Sequence, residues 1–253
     1  MLIQTVLVKR LTRVFSAGML SLLASCNGGC PECGSTSTAD TSFQNASLSV
    51  QALSAPTRQQ ATRFLTQASF GPSPEDVAHL MSVGYVAWLN EQMAMPMSST
   101  THVDQWDASD VRLQAATAGQ RASSGETTSS FWRQALSGPD QLRQRVAFAL
   151  SEIFVVSMRS SCGDGGYSRG AADYLDMLGR HAFGSYRSLI EDVSLHPVMG
   201  CYLSHMKNQP ADALTGRVPD ENFAREVMQL FSIGLVELMP DGTPRLDVNG
   251  QAI

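Results

Sequence analysis

The amino-acid sequence predicts an all-α protein whose helices form a multi-helix orthogonal or bundle-like array. Apolar residues recur at helical spacing in successive segments after residue 57, and short turns containing Gly and Pro separate these segments. No run of alternating apolar and polar residues between turns indicates a sheet. We therefore expect residues 57–253 to form one helical domain with its own core.

An export signal is predicted at the N-terminus. Lys9, Arg10 and Arg13 precede the apolar run 14–24, which is too short to cross a bilayer as a stable helix. Basic residues, a short apolar core and then small residues are typical of a signal peptide. Residues 1–26 are therefore left out of the prediction of the fold.

The end of this signal resembles a bacterial lipobox. Residues 23–26 read Leu-Ala-Ser-Cys, and the cysteine of a lipobox is lipidated and becomes the mature N-terminus. The resemblance implies a diacylglyceryl anchor on Cys26. Asn27 follows in place of an Asp retention signal, so we expect an outer-membrane lipoprotein. The alternative is a chance cysteine beside a conventional cleavage site. Either interpretation places the protein in the periplasm or at the cell surface.

Export permits disulfides, so the other four cysteines are interpreted in that setting. Cys30 and Cys33 form a C-x-x-C that lacks the flanking strand and helix of a redox motif. No second C-x-x-C completes a zinc site, and no metal site is predicted. A local disulfide between these two residues, or two thiols, is expected. Cys162 and Cys201 lie in or beside predicted loops and are candidates for a second disulfide.

Composition predicts a tether and argues against nucleic-acid binding. Residues 27–56 are rich in Ser, Thr, Ala and Gln without a sustained apolar period, which is typical of a flexible linker. The formal net charge is −5, whereas nucleic-acid-binding domains are usually basic. The membrane, reached through the lipid anchor, is the partner that the sequence indicates. It names no protein or polymer partner, no cofactor and no oligomeric state.

Helix signals follow one another along the rest of the chain. Ser73 is a predicted N-cap, with Pro74 in the first turn and Asp76 at the capping-box position. Gly84 ends this helix before the next one begins. The predicted helices cover residues 63–68, 74–83, 85–93, 131–136, 141–157, 171–183, 186–193 and 219–235, with a weaker helix around 110–118 and a short one from Pro197.

Residues 141–157 form the most hydrophobic of these segments, and apolar side chains cover most of its circumference. We predict that it is the central buried helix. Glu152 lies within it, and an unpaired buried carboxylate is costly. We expect Glu152 to form a structural ion pair. A functional carboxylate, or a place on a polar edge beside Arg145 and Ser151, are the alternatives.

The helix predicted over 219–235 carries a polar stripe opposite its apolar stripe. The stripe consists of Asn222, Arg225, Glu226 and Gln229. One interpretation is a solvent-exposed face on which Glu221 and Arg225 form an ordinary i,i+4 pair. The other is a buried hydrogen-bond network that ties neighbouring helices together or lines a cleft.

Several segments, taken in order, resemble the bacterial family of exported proteins called DUF1800. They are residues 63–93, 141–157, 195–203 and 216–235, and the resemblance extends over 58–250. The hallmark of that family is an Asn-x-x-Ala-Arg-Glu helix, matched here by Asn222, Ala224, Arg225 and Glu226. The resemblance implies an α-helical secreted or surface protein without a catalytic assignment. Relatives continue with a second half, so it also implies a truncated chain in which the C-terminal half of the family fold is missing.

Two functions are compatible with these observations. The first is a lipid-anchored structural or interaction protein of the cell surface that holds a partner. The second is an exported hydrolase in which carboxylates act as acid and base, while Arg225 and Asn222 hold an anionic or sugar-like substrate. Its candidate catalytic residues are Glu152, His196, Asn222, Arg225 and Glu226. No Gly-x-Ser-x-Gly, His-Glu-x-x-His or nucleotide loop supports a named enzyme class, so the first function is preferred.

Overall fold

The computed structural model of the protein describes residues 55–158 and 167–253. The predictions for the export signal, for Cys26, Cys30 and Cys33 and for Cys162 fall outside these residues. The described part is 59% helix and 3% strand, which confirms the all-α class. Its helices are α1 (Arg58–Ala68), α2 (Pro74–Val83), α3 (Tyr85–Ala94), α4 (His102–Ala116), α5 (Ser124–Ser137), α6 (Gln141–Ile153), α7 (Tyr167–His181), α8 (Tyr186–Leu195), α9 (Pro197–Tyr202) and α10 (Asn222–Gln229).

Reciprocal side-chain caps mark the starts of α1, α2 and α4. Ser73 Oγ accepts a hydrogen bond from the Asp76 amide at 3.1 Å, and Asp76 Oδ2 accepts one from the Ser73 amide at 2.9 Å. Thr101 and Asp104 form the same pair ahead of α4. The prediction for α2 is therefore confirmed. The weaker helix predicted around 110–118 is part of a longer helix, His102–Ala116, which begins earlier because Thr101 and Asp104 form a capping box.

The central helix of the described part is α7, which packs against α4, α5, α6, α8 and α9. The prediction that residues 141–157 form the central buried helix is wrong. This segment forms α6, which ends at Ile153 and buries only Gln144 fully. Its apolar side chains point to opposite sides, so α6 lies between two apolar clusters without being enclosed by either.

Two of the three clusters of buried apolar side chains among the described residues form most of the core. The first lies between α7, α8 and α9 and includes Phe231 beyond α10. Its fully buried members include Tyr174, whose hydroxyl donates to the Phe154 carbonyl oxygen at 2.8 Å. The second lies between α1, α2 and α3, around Leu65, Leu80 and Trp88. These clusters supply the apolar burial that stabilises the helical body, residues 57–203.

The last helix is shorter than the predicted 219–235. Asp220 Oδ1 accepts a hydrogen bond from the Asn222 amide at 2.9 Å at its start. The helix ends at Gln229, and beyond it Gly234, with φ 77°, donates its amide to the Met228 carbonyl oxygen at 2.9 Å. Phe231 is the last core residue. None of the described helices is long and apolar enough to cross a bilayer.

Candidate functional site

The polar stripe of α10 lies on the surface. Arg225 pairs with Glu221 one turn earlier, and the two side chains are 53% and 76% exposed. Asn222 is also exposed, and Glu226 is half-buried. Within the described residues no side-chain hydrogen bond joins these groups to another helix. The first interpretation of this stripe, an ordinary i,i+4 pair on a solvated face, is therefore confirmed.

Glu152 is exposed near the end of α6 and forms no ion pair within the described residues. None of the described residues forms the expected structural ion pair with Glu152, and its exposure fits the polar-edge alternative. The reason is that the segment around Glu152 is not enclosed, so its carboxylate keeps its water. Glu152 contributes to the wall of a small cavity of about 250 Å³ together with Phe154 and Tyr174.

His196 caps α9, as its position before Pro197 predicts. Its Nδ1 accepts a hydrogen bond from the Val198 amide at 3.2 Å, so in the neutral ring the proton is on Nε2. Nε2 lies 3.3 Å from Asp173 Oδ2. Burial lowers the pKa of His196, while Asp173 acts in the opposite direction. Both ring nitrogens are thus engaged in holding α9 against α7.

The structure does not bring the predicted catalytic residues together through any hydrogen bond or ion pair among the residues that it describes. The charges that act on His196 come from Asp173, Arg180 and Asp192, and none comes from Glu152 or Glu226. The same part of the chain contains no group of three His, Cys, Asp or Glu side chains that could hold a metal ion. The geometry therefore gives the hydrolase hypothesis no constellation of acid and base.

A buried polar network that sequence reasoning missed joins α4, α5, α6 and α7. His102 Nδ1 lies 2.7 Å from Ser130 Oγ. The carboxylate of Asp176 on α7 accepts hydrogen bonds from the amides of His102 (2.9 Å) and Val103 (3.0 Å), which are the first two of α4. Asp176 thus caps α4 from another helix, because the first amides of a helix have no partner within it.

The network continues around Asp140, which is fully buried at the start of α6. Gln144 donates to Asp140 Oδ2 at 3.2 Å and to Gln134 Oε1 at 3.3 Å. Gln134 in turn donates to the Thr100 carbonyl oxygen at 3.0 Å. Arg143 donates to two backbone carbonyl oxygens of other segments, and its Nε lies 3.9 Å from Asp140 Oδ2. The bonds from Gln144 to Gln134, from Gln134 to Thr100 and from Arg143 to the backbone of other segments hold α6 in place against its neighbours.

The network contains a hydroxyl, an imidazole and a carboxylate, yet its burial argues against nucleophilic catalysis. Ser130, His102 and Asp140 are 1%, 4% and 0% exposed, so no substrate reaches them in this conformation. Burial lowers the pKa of His102 to about 4, against a smaller opposing effect of Asp140, and the imidazole is neutral at pH 7. The arrangement holds helices together. One sequence signal for it is a polar stripe at core spacing on α5, namely Thr127, Ser130 and Gln134.

A second feature that sequence reasoning missed is the C-terminal arm, residues 235–253. It contains two eight-residue units, 238–245 and 246–253, each with Leu first and Asp-Gly or Asn-Gly at its fourth and fifth positions. Gly242 and Gly250, with φ 82° and 78°, form the two turns, since this backbone conformation favours glycine. The repeat could have been found by aligning the sequence with itself.

Backbone hydrogen bonds close the arm on itself. The Arg245 amide donates to the Glu237 carbonyl oxygen at 2.8 Å, and the Ile253 amide donates to the Arg245 carbonyl oxygen at 3.0 Å. The Glu237 amide donates to the Ile253 carbonyl oxygen at 2.7 Å. Every arm residue is nevertheless exposed except the half-buried Val236. The arm is therefore ordered by its own backbone and contributes almost nothing to the core.

Cys201, in α9, is disulfide-bonded. The other four cysteines of the chain lie outside the described residues, so the pairing of Cys201 with Cys162 and the state of Cys30 and Cys33 stay predictions.

The chain is therefore an all-α protein in which the helices pack against each other, with a buried polar network and an exposed C-terminal arm. A family described as "Protein of unknown function (DUF1800)" matches residues 63–250. The chain belongs to the DUF1800 family, as its blocks of similar sequence predicted. No curated protein and no solved structure matches it.

Proposed function

We propose that this protein is exported, anchored by a lipid on Cys26, and works as a structural or interaction protein at the periplasmic or cell surface. Its contact surface is the C-terminal arm. The observation that carries the proposal is the distribution of apolar side chains. Six of the 22 exposed large apolar side chains in the described part lie within the 19 residues of the arm.

The exposure of these side chains is costly unless a partner covers them. Leu235, Leu238 and Val248 of the arm are 77%, 61% and 100% exposed. Burying one such side chain contributes about 1.5–3 kcal/mol. Contiguous exposed apolar surface on a folded protein is characteristic of interaction sites. The arm also has its own backbone order, so a partner would meet a preformed surface and pay less ordering entropy.

The hydrolase alternative has less support. His196 uses both ring nitrogens to cap α9 and to contact Asp173, which leaves no nitrogen for a substrate proton. Glu152 is exposed on α6, and Arg225 is paired with Glu221 on the surface of α10. The cavity lined by Glu152, Phe154 and Tyr174 contains no second candidate residue, and the cavity lined by Phe70, Ser137 and Gln141 contains none.

The anchor is tested by replacing Cys26. In cells that produce the full chain, wild-type protein is expected in the membrane fraction and to incorporate labelled fatty acid. The Cys26→Ala variant should appear in the soluble periplasmic fraction without label. Cys201→Ala is unsuitable as a control because that residue is disulfide-bonded, so an exposed-surface variant such as Leu195→Ser serves instead. Unchanged membrane retention and labelling of Cys26→Ala would contradict the lipoprotein assignment.

The contact surface is tested with a photo-crosslinking amino acid placed in the arm. Insertion at position 238 is expected to give a discrete crosslinked product in cells. Insertion at Leu195, which is 76% exposed at the end of α8, should give none, since that position is an isolated apolar side chain in the helical body. Equal products at both positions, or none at 238, would contradict the role of the arm.

A further inference from the structure

We infer that the C-terminal arm docks a basic amphipathic segment of another protein, one in which Lys or Arg side chains alternate with aliphatic ones. This inference rests on the proposed function, because it gives the chemistry of the partner that the arm contacts. Two properties of the arm carry it, namely the spacing of its apolar side chains and the sign of its charges.

The apolar side chains of the arm are presented in a regular way. Leu238 and Leu246 occupy the first position of the two eight-residue units, and they are 61% and 57% exposed. The bridges Leu238–Pro244 and Leu246–Ala252 place both leucines in equivalent hairpins. Each unit therefore presents one exposed leucine beside its own turn. A partner that covers the arm needs aliphatic side chains to contact these leucines.

The charges of the arm are acidic. It carries Glu237, Asp241 and Asp247 against the single cation Arg245. Arg245 already pairs with Glu237 at 2.9 Å, so its charge is satisfied inside the arm. Asp241 and Asp247 are left without a cationic partner among the described residues. The unbalanced charge beside the two leucines is negative.

Local hydrogen bonds keep these two aspartates ionised. The Thr243 hydroxyl and amide donate to Asp241 Oδ1 at 2.7 and 3.0 Å and lower the pKa of Asp241. The amides of Gln251 and Asn249 donate to Asp247 Oδ1, both at 2.8 Å, and lower the pKa of Asp247. Both carboxylates therefore remain negative across the physiological range and complement cationic side chains.

The same charges argue against a lipid surface as the occupant. Membrane-binding apolar segments usually carry Lys or Arg that pair with anionic headgroups. The only arginine of the arm is paired, and the net charge of the arm is negative, so an anionic bilayer would repel it. A cationic protein segment meets both the charge and the apolar side chains.

The test uses the full chain and two synthetic peptides of equal length and the same alternating pattern, one built from Lys and Leu and the other from Glu and Leu. Binding is measured by fluorescence anisotropy at low and at physiological salt, with anionic phosphatidylglycerol vesicles as a third probe. The Lys/Leu peptide is expected to bind at least about tenfold more tightly than the Glu/Leu peptide, with a salt-dependent affinity.

Two double variants of the arm separate its two properties. Leu238→Ser with Leu246→Ser should weaken the Lys/Leu peptide by about tenfold or more, because each leucine loses its apolar contact. Asp241→Asn with Asp247→Asn keeps the Oδ1 acceptors of both turns and removes only the charges. It should weaken binding by about threefold to tenfold and reduce the salt dependence.

Matched controls exclude a general effect of composition. Leu195→Ser removes a leucine of similar exposure from the helical body, and Glu75→Gln with Glu191→Gln removes two exposed negative charges from α2 and α8. Both control variants should bind the Lys/Leu peptide like the wild type. Circular dichroism is expected to show unchanged helix content in every variant, since none of the substituted side chains is part of the core.

The outcomes distinguish the two proposals. If the leucine variant loses binding while the aspartate variant matches its charge control, the arm is a contact surface and the basic partner is wrong. If the Glu/Leu peptide or the anionic vesicles bind as tightly as the Lys/Leu peptide, the basic partner is also overturned. If the leucine variant matches Leu195→Ser, the arm is not the contact surface, and both proposals fail.

Discussion

The helical body and the C-terminal arm differ in which side chains are buried and which are exposed. In the body, polar groups such as Asp140, Asp176 and Ser130 are almost fully buried and hold the helices together. In the arm, apolar groups such as Val248 and Leu235 are almost fully exposed. The buried polar groups of the body have no access to water, so the body depends on the hydrogen bonds between them. The exposed apolar side chains of the arm would become buried only when a partner covers them.

In this protein, the hydrophobicity of a side chain therefore does not by itself predict whether that side chain is buried. Order in the body depends on contacts between segments far apart in the sequence, such as the bond of 2.9 Å from the His102 amide to Asp176. Order in the arm depends on backbone hydrogen bonds between residues of the arm itself, at most 16 positions apart. Substitutions of the same chemical type should therefore have large effects in the body and small effects on the stability of the arm.

The largest effect is expected for Asp176→Leu. This change leaves the buried amides of His102 and Val103 without an acceptor, and each unsatisfied amide costs about 1–3 kcal/mol. The free energy of unfolding in urea should fall by about 2–5 kcal/mol. Asp107→Leu is the matched control, because Asp107 forms an exposed pair with Arg169 and should cost less than about 1 kcal/mol. Equal losses for the two variants would show that the buried cap does not stabilise the body.

Acid should destabilise the body through His102. The folded-state pKa of about 4 lies below the ordinary value of 6.5, so the unfolded chain binds the proton first as the pH falls. The contribution of His102 to the free energy of unfolding is fully present above pH 6.5. It declines between about pH 6.5 and 4, by roughly 3 kcal/mol in total. Thermal unfolding across this range measures the decline.

His102→Gln is the control for this pH dependence, since its amide can still bond Ser130 but does not titrate. The slope of stability against pH should become shallower in this variant. A remainder is expected from His196, whose pKa is also lowered by burial. An unchanged slope in His102→Gln would contradict the assignment of the pH dependence to this imidazole.

A smaller effect is expected for Gly138→Ala, at the turn between α5 and α6. A Cβ atom there would lie 2.5 Å from the Gln134 carbonyl oxygen and 3.0 Å from Asp140 Oδ1, so the backbone must shift. The predicted cost is about 1–3 kcal/mol. At Gly125, near the start of α5, the nearest atom is 3.4 Å away, and Gly125→Ala should be neutral or stabilising. Thermal denaturation of Gly138→Ala and Gly125→Ala compares the two positions. Equal losses of stability would show that the turn does not require a glycine.

The smallest effect on stability is expected in the arm. Leu238→Ser combined with Leu246→Ser should change the free energy of unfolding by less than about 0.5 kcal/mol, because both side chains are already in water. Leu178→Ala, at a fully buried position of α7, should cost about 2–5 kcal/mol and serves as the reference. A large loss of stability in the arm variant would mean that the arm packs onto the body.

Local signals in the sequence predicted several helix ends correctly. Ser73 with Asp76, His196 before Pro197, and Glu221 with Arg225 each interact within one or two turns, so spacing alone determines them. The position of α6 was wrong because its apolar residues do not show which neighbours cover them. The burial of Gln144 and Asp176 was missed because a polar side chain is buried only when distant segments supply its partners, and spacing within one helix does not include those segments.

The bond between Asp176 and α4 also affects the order in which the protein can fold. The acceptor of the His102 amide, Asp176, lies 74 residues further along the chain. Until α7 has folded, the first turn of α4 has only the local cap from Thr101. Docking of α4 onto the body is therefore expected to follow the folding of α7, and hydrogen exchange at Val103 during refolding would report when this contact forms.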